Sequence, residues 1–308
     1  MPRTADPILP PPLKRGDTIG IIAPAGPIRD EAAMAAGMRL LADLGFETRM
    51  QNNLRRQDGF LAGSDQERLD ELHALWRDPE VAALLAVRGG YGCLRLLHRL
   101  DYGLFRAQPK TVIGFSDLTV LLAAIQRESG LITYHGPMLS TLARSDTPSR
   151  EAFFELLTGN PSPSLRPKGL EILRKGRAQG RLLPGNLTSL THLIATGHEP
   201  CWDNALLILE DIGEAPYRID RLLTHLWASG RLERVAGIIL GGFDECGDVE
   251  LIWNRVLELT QDRNTPVWGN FPCGHGERNN ILPVGLPAEM DDASGRLQLG
   301  WQQARRQE

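Results

Sequence analysis

Short apolar runs alternate along the chain with stretches of helical periodicity, beginning with Thr18-Ile19-Gly20-Ile21-Ile22-Ala23. Continuous apolar runs separated by amphipathic segments are how a parallel sheet covered by helices reads in sequence. A helix is predicted over residues 29–44, with Gly45 as its stop. Ser64-Asp65-Gln66-Glu67 has the spacing of a capping box, and Leu69, Leu72 and Trp76 then recur on one helical face until Pro79 ends the segment. Residues 81–87 and 111–114 are the next strands, and each runs directly into polar or glycine-rich residues followed by another helix. A last strand of this half is expected over residues 131–134.

Between about Asp146 and Gly180, prolines, serines and basic residues with weak periodicity predict a helix followed by a connector. That divides an N-terminal domain, residues 1–165, from a C-terminal one, residues 166–308. The second half restarts with a strand at 182–185, a helix at 187–196, a strand at 205–209 and a helix at 219–228. Further strands are expected at 235–240, 266–271 and 297–301, with a helix at 249–259. The class is α/β: an N-terminal, mostly parallel sheet flanked by helices, plus a second, smaller α/β domain. In open sheets of this kind ligands sit at the carboxyl ends of strands, so the strand-to-helix junctions are where chemistry is expected.

Composition narrows the partners. Among 308 residues, 34 Lys and Arg face 38 Asp and Glu, a net charge of -4 that leaves no electrostatic footprint for nucleic acid or anionic lipid. A small molecule or peptide is the expected substrate, with neither nucleic acid nor membrane as partner. The proline-rich segment 1–15 holds no apolar run of signal-peptide length, and no later segment approaches the roughly 18 apolar residues that span a bilayer. Cys93, Cys201, Cys246 and Cys273 are scattered without C-x-x-C spacing, which fits a reducing compartment. A cytoplasmic protein is expected.

The sharpest local signal is Ile113-Gly114-Phe115-Ser116-Asp117-Leu118-Thr119, where a buried strand ends and an apolar helix begins at once. A serine on that turn projects its hydroxyl at the sheet edge, and the amides opening the helix can stabilise an oxyanion. The plainer alternative is that Ser116 or Asp117 caps the helix. Leu118 stands where the α/β-hydrolase elbow has its second glycine, which disfavours that family. A second signal is Val87-Arg88-Gly89-Gly90-Tyr91-Gly92, whose glycines let backbone approach a ligand, or simply make a tight turn. It has neither G-x-G-x-x-G spacing nor a P-loop Lys-Ser/Thr, but the amides of Gly90 and Asp117 together would make a two-donor oxyanion hole.

A serine nucleophile needs a base. His73, His98, His192 and His225 fall inside predicted helices, whereas His275 lies in a glycine-flanked loop after a strand, and His135, which ends a strand, is the runner-up. Glu210 follows an apolar strand directly and is the candidate to orient the base, with Asp211 and Glu214 as neighbouring alternatives. H-E-x-x-H and calcium-loop spacings are missing, so no metal is expected.

Taken in order, these pieces resemble the LD-carboxypeptidase family, which includes muramoyl-tetrapeptide carboxypeptidases and microcin-immunity peptidases. The matching segments are Gly16-Asp17-Thr18-Ile19-Gly20-Ile21-Ile22-Ala23-Pro24, Phe60-Leu61-Ala62-Gly63, Arg88-Gly89-Gly90-Tyr91-Gly92, Ile113-Gly114-Phe115-Ser116-Asp117, His135-Gly136-Pro137, Gly185-Asn186-Leu187, Leu209-Glu210-Asp211-Ile212 and Gly274-His275. The resemblance implies a catalytic triad of Ser116, Glu210 and His275, oxyanion donors at the amides of Gly90 and Asp117, an active site between two domains, a homodimer, and no cofactor. It implies release of terminal D-alanine from a murein tetrapeptide in cytoplasmic cell-wall recycling. Arg88 is the nearest candidate for the D-alanine carboxylate, although an arginine beside a glycine turn can equally brace the loop. Hydrolysis of a microcin-type peptidyl nucleotide with the same triad is the alternative substrate reading. Between Ser145 and Gly180 no family motif is matched, and the only aromatics, Phe153 and Phe154, read as helix core rather than as a stacking site. A non-catalytic ligand-binding protein is a third possibility, and a glutamine amidotransferase would need cysteine where Ser116 stands.

Overall fold

The computed structural model describes residues 7–51 and 54–305. The first six residues of the proline-rich N-terminal segment therefore lie outside the described residues. Two sheets carry the chain. The first is built from β1 (Thr18–Ile22), β2 (Glu47–Met50), β3 (Val81–Ala86), β4 (Thr111–Gly114) and β5 (Thr133–His135), all parallel, in the order β2-β1-β3-β4-β5. All five positions of β1 and four of β4 are buried, which is why these strands read as unbroken apolar runs. The helices between them are α1 (Glu31–Asp43), α2 (Asp65–Arg77), α3 (Tyr102–Ala107) and α4 (Leu118–Ser129), followed by α5 (Leu139–Leu142) and α6 (Thr147–Leu157). The capping box forms as predicted. Ser64 Oγ accepts from the Glu67 amide, and Glu67 Oε2 accepts from the Ser64 amide at 2.8 Å.

The second sheet contains β6 (Ser164–Leu165), β7 (Glu171–Arg174), β8 (Arg177–Asn186), β9 (Ala205–Ile212), β10 (Gly237–Asp244) and β11 (Val267–Gly269). Its centre is the parallel run β8-β9-β10-β11, flanked by α7 (Leu187–Thr191), α8 (Pro216–Ala228) and α9 (Val249–Leu259). The segment expected to be a connector holds three of these strands. Two are only two and four residues long, too short to show a period. The helix expected over 187–196 stops at Thr191, and Ala195, at φ 62°, shows how the chain leaves helical geometry beyond it.

The halves are not independent layers. After β11 the chain returns to the first sheet as β12 (Leu282–Val284), pairing antiparallel with β5, before β13 (Pro287–Asp291) and β14 (Arg296–Leu299) rejoin the second. Pro283 is tolerated because β12 is an edge strand. A second seam runs through α4. Thr119 Oγ1 accepts from the Asn186 amide at 3.1 Å, and a Cβ added at Gly185 would fall 2.5 Å from the Thr119 methyl. Among the described residues no helix is long and apolar enough to cross a membrane.

One close approach in the first half has a measurable consequence. A Cβ at Gly37, in the middle of α1, would stand 2.1 Å from the Leu139 carbonyl oxygen of α5. Alanine improves helix propensity by about 1 kcal/mol, but backbone cannot retreat from such a contact without moving α5. Gly37→Ala is therefore expected to lower the urea midpoint with an unchanged m-value, and a raised midpoint would contradict so close a packing of α1 on α5.

Candidate active site

The carboxyl ends of β3, β4 and β9 and the loop after β11 converge at the seam. Ser116 is the middle residue of the three-residue turn Phe115-Ser116-Asp117 between β4 and α4, at φ 63°, a left-handed conformation that a side-chain-bearing residue adopts at a cost of about 1–3 kcal/mol. Opposite it, Gly89 has no room for a side chain: a Cβ there would lie 2.9 Å from both Cβ and Oγ of Ser116. Gly90 follows at φ 130°. Among the described hydrogen bonds, neither the Gly90 amide nor the Asp117 amide donates to a protein acceptor, as a pair of oxyanion donors requires.

On the other side of the seam, His275 Nδ1 and Glu210 Oε2 are 2.7 Å apart. Glu210 is completely buried and the His275 side chain is 15% exposed. Burial lifts the Glu210 carboxyl above the usual carboxylate range, and the contact with His275 only partly reverses this. For His275, burial favours the neutral ring, but the Glu210 carboxylate outweighs it and holds the imidazole above its ordinary value. A carboxylate at Nδ1 fixes the proton there and leaves Nε2 with its lone pair, the tautomer of a general base. Gly274, at φ 130°, brings the loop close, since a Cβ there would meet Glu210 Oε2 at 3.0 Å.

Phe115 links the two groups, its ring centroid lying 4.7 Å from that of His275 while the next residue is Ser116. Among the described residues no hydrogen bond joins Ser116 Oγ to the imidazole. Such bonds are often long before substrate binds and tighten in the Michaelis complex. A cavity of about 260 Å³ opens beside Ser116, and Gly90, Tyr91, Asn186, Thr188 and Glu214 contribute to its lining.

Other sequence candidates lie elsewhere. Arg88 Nη1 donates to the Pro27 carbonyl at 3.1 Å, and the residue does not line that cavity. His135 is fully buried against Phe115, with both ring nitrogens unpartnered among the described residues, and burial together with the nearby His275 pushes its pKa down to about 3. Asp211, next to Glu210, accepts from Asn186 Nδ2 at 2.9 Å and from both the amide and the hydroxyl of Thr188. Glu214 faces the cavity and meets Arg218 at 3.4 Å. The contributions of Asn186, Thr188 and Phe115 were not read from sequence, although Asn186 stands in the matched Gly185-Asn186-Leu187 segment.

Residues 19–136 match the N-terminal domain of LD-carboxypeptidase and residues 179–290 match its C-terminal domain. The chain belongs to the LD-carboxypeptidase family. It is therefore a serine-type LD-carboxypeptidase with the two-domain α/β fold of that family. A Bacillus subtilis relative named as a probable murein peptide carboxypeptidase is 38% identical, covering 91% of this chain and 91% of its own length. The solved muramoyltetrapeptide carboxypeptidase of Oxalobacter formigenes superposes with a TM-score of 0.78 at 31% identity, over 92% of this chain and 97% of the other. The microcin C7 self-immunity protein, solved with glutamyl sulfamoyl guanosine, superposes with a TM-score of 0.88 at 27% identity, over 95% and 98%.

In this LD-carboxypeptidase the space above Gly89 is reserved for the Ser116 side chain. Gly89 has no positive φ, so alanine fits its backbone and acts only through the added methyl. Displacing a reacting group by about 1 Å can cost 10²-fold, so with Ser116 as the nucleophile expected from the sequence, Gly89→Ala is expected to lower kcat by about that factor while the thermal midpoint stays near wild type. Wild-type turnover in that variant would show that the contact does not place the serine.

Proposed function

We propose that the chain releases terminal D-alanine from murein tetrapeptides in cytoplasmic cell-wall recycling, acting as a homodimer with Ser116 as nucleophile, His275 as base and Glu210 as its orienting carboxylate. The observation that carries this reading is the buried 2.7 Å His275–Glu210 contact, held one residue away from a strained serine by the Phe115 ring. The names of the Bacillus and Oxalobacter relatives support the substrate class.

In the proposed reaction Ser116 Oγ attacks the carbonyl of the L,D-peptide bond as His275 Nε2 takes its proton. The developing oxyanion receives the amides of Gly90 and Asp117. Collapse expels D-alanine, whose nitrogen takes the proton back from His275, and water then releases the acyl group by the same route in reverse. Glu210 favours the imidazolium formed midway, and its burial makes that interaction stronger than it would be in water. Arg88 Nη1 is engaged by the Pro27 carbonyl and the residue lies outside the cavity lining, so we assign it first to bracing the Gly89–Gly90 turn and second to substrate.

A second reading keeps every residue and changes the substrate to a peptidyl nucleotide. Its support is the closer backbone likeness to the microcin self-immunity protein, a TM-score of 0.88 against 0.78, whereas sequence identity is higher to the muramoyltetrapeptide carboxypeptidase, 31% against 27%. Comparing D-alanine release from a defined muropeptide panel with amide cleavage of a peptidyl-nucleotide conjugate separates the two, because the preferred substrate will show the larger kcat/KM.

Ser116→Ala is expected to reduce D-alanine release by at least about 10³-fold with the circular dichroism spectrum unchanged, and retained turnover would exclude a serine mechanism. The pH profile follows from the raised His275 pKa. The base works only when neutral, so kcat/KM should rise with pH through a midpoint above the ordinary histidine value. In Glu210→Gln the charge that raises it is gone, so the limb should move to lower pH even as kcat falls. A limb unmoved by that substitution would mean that another group titrates.

A further inference from the structure

Asp117 stands at the N-cap position of α4, yet its carboxylate bonds no amide of its own helix. Oδ2 instead accepts the Cys93 amide at 2.9 Å, across the gap to the loop that follows β3. Cys93 begins the 3-10 turn Cys93–Arg99, three residues beyond Gly90. The same loop is held from behind by Arg68 of α2, a fully buried arginine whose Nη1 donates to the Gly92 carbonyl at 3.0 Å and also to the Pro24 carbonyl. A third tie runs from the Gly26 amide to the Gly89 carbonyl at 3.3 Å. Gly92 is at φ 126°, and a Cβ there would meet Arg68 Nη1 at 2.7 Å and the Leu61 side chain at 2.5 Å.

The two amides assigned to the oxyanion belong to loops after different strands, so neither backbone alone sets their separation. Both must lie about 2.7–3.1 Å from one oxygen to act together. The Asp117 side chain spans that gap and starts from the same residue that supplies the second amide. We propose that the Asp117 carboxylate is a positioning residue: by accepting the Cys93 amide it holds the Gly90 amide in register with the Asp117 amide, with Arg68 as the rear anchor. This inference rests on the peptidase reading above. The role needs a hydrogen-bond acceptor rather than a negative charge, and asparagine offers one on a side chain of the same length.

The test compares Asp117→Asn with Asp117→Ala in the full chain. Three quantities are measured: steady-state D-alanine release from a murein tetrapeptide, affinity for a peptide boronic acid that mimics the tetrahedral adduct, and affinity for the tripeptide product. Losing a well-placed oxyanion donor costs about 10²–10³-fold, so loosening one is expected to lower kcat by about 10- to 100-fold in Asp117→Ala. KM and tripeptide affinity should stay within about twofold, boronate affinity should fall by the same factor as kcat/KM, and Asp117→Asn should remain within about threefold of wild type. Asp117→Ser, which can cap α4 but stops short of Cys93, carries the same expectation as alanine and serves if the alanine variant is unstable. The inference is overturned if asparagine is as damaging as alanine, if tripeptide and boronate binding weaken together, or if the truncated variants keep wild-type kcat. Failure of the wild type to release D-alanine would remove the peptidase reading itself, an outcome distinct from an active wild type with unaffected variants.

Discussion

A carboxylate taken wholly out of water costs several kcal/mol unless a donor or cation meets it, and Glu210 has no exposed side-chain surface. Among the described residues Oε1 has no partner, so the obligation falls on His275 at Oε2. The spacing is set by the order of the parallel strands, for β10 separates the strand bearing Glu210 from the one that leads to His275. The loop then settles back onto β10. The Gly242 amide donates to the Cys273 carbonyl at 2.8 Å, and a Cβ at Gly241 would lie 2.5 Å from that oxygen. Glycines at 241 and 274 thus let a loop sit directly over a buried acid, and the acid gives the loop its polar partner.

Ser116 belongs to the other sheet, so its relation to this pair depends on the seam. The segment bearing His275 is anchored at both ends, by β11 in the second sheet and by β12 against β5 in the first, where Leu282 pairs with His135. Asn186 makes the corresponding tie from β8. Its amide reaches Thr119 of α4, its Oδ1 caps α7 through the Ser189 amide, and its Nδ2 holds Asp211 beside Glu210. One residue therefore relates the helix opened by the serine to the strand that carries the acid. Fully satisfied buried networks of this kind specify a single arrangement, because each unmade bond leaves a costly orphan.

The central parallel strands were legible in the sequence because strands covered on both faces keep an apolar run unbroken, and their junctions with helices drew attention to Ser116 and the Gly89–Gly90 turn. The seam was not. Leu282-Pro283-Val284 looks like a break rather than a strand, since proline is excluded from central strands and only the fold shows that this one is an edge. Arg68 and Glu71 are charged residues of α2 with no role legible in the sequence, yet both are buried, Glu71 accepting from the Ala23 amide and from Arg56. Polar networks have no periodicity to betray them. His135 illustrates the opposite ambiguity: a strand-end histidine looks like a base in sequence, while its burial, with no ring partner among the described residues, keeps it neutral behind Phe115.

Backbone preference and chemistry pull in opposite directions at position 116. Glycine would adopt φ 63° without penalty, so stability alone would place no serine there. The strain persists because the surroundings over-determine it: β4 is buried on one side of the turn, and on the other the apolar residues of α4 from Leu118 to Ile125 are buried. The room the serine needs is given up across the gap, at Gly89, where even a methyl would collide with it. The strained side chain and the missing one are therefore two halves of a single feature. Releasing the turn would move the Ser116 side chain out of the space that Gly89 leaves for it, so the backbone cost of Ser116 is the cost of holding its side chain there.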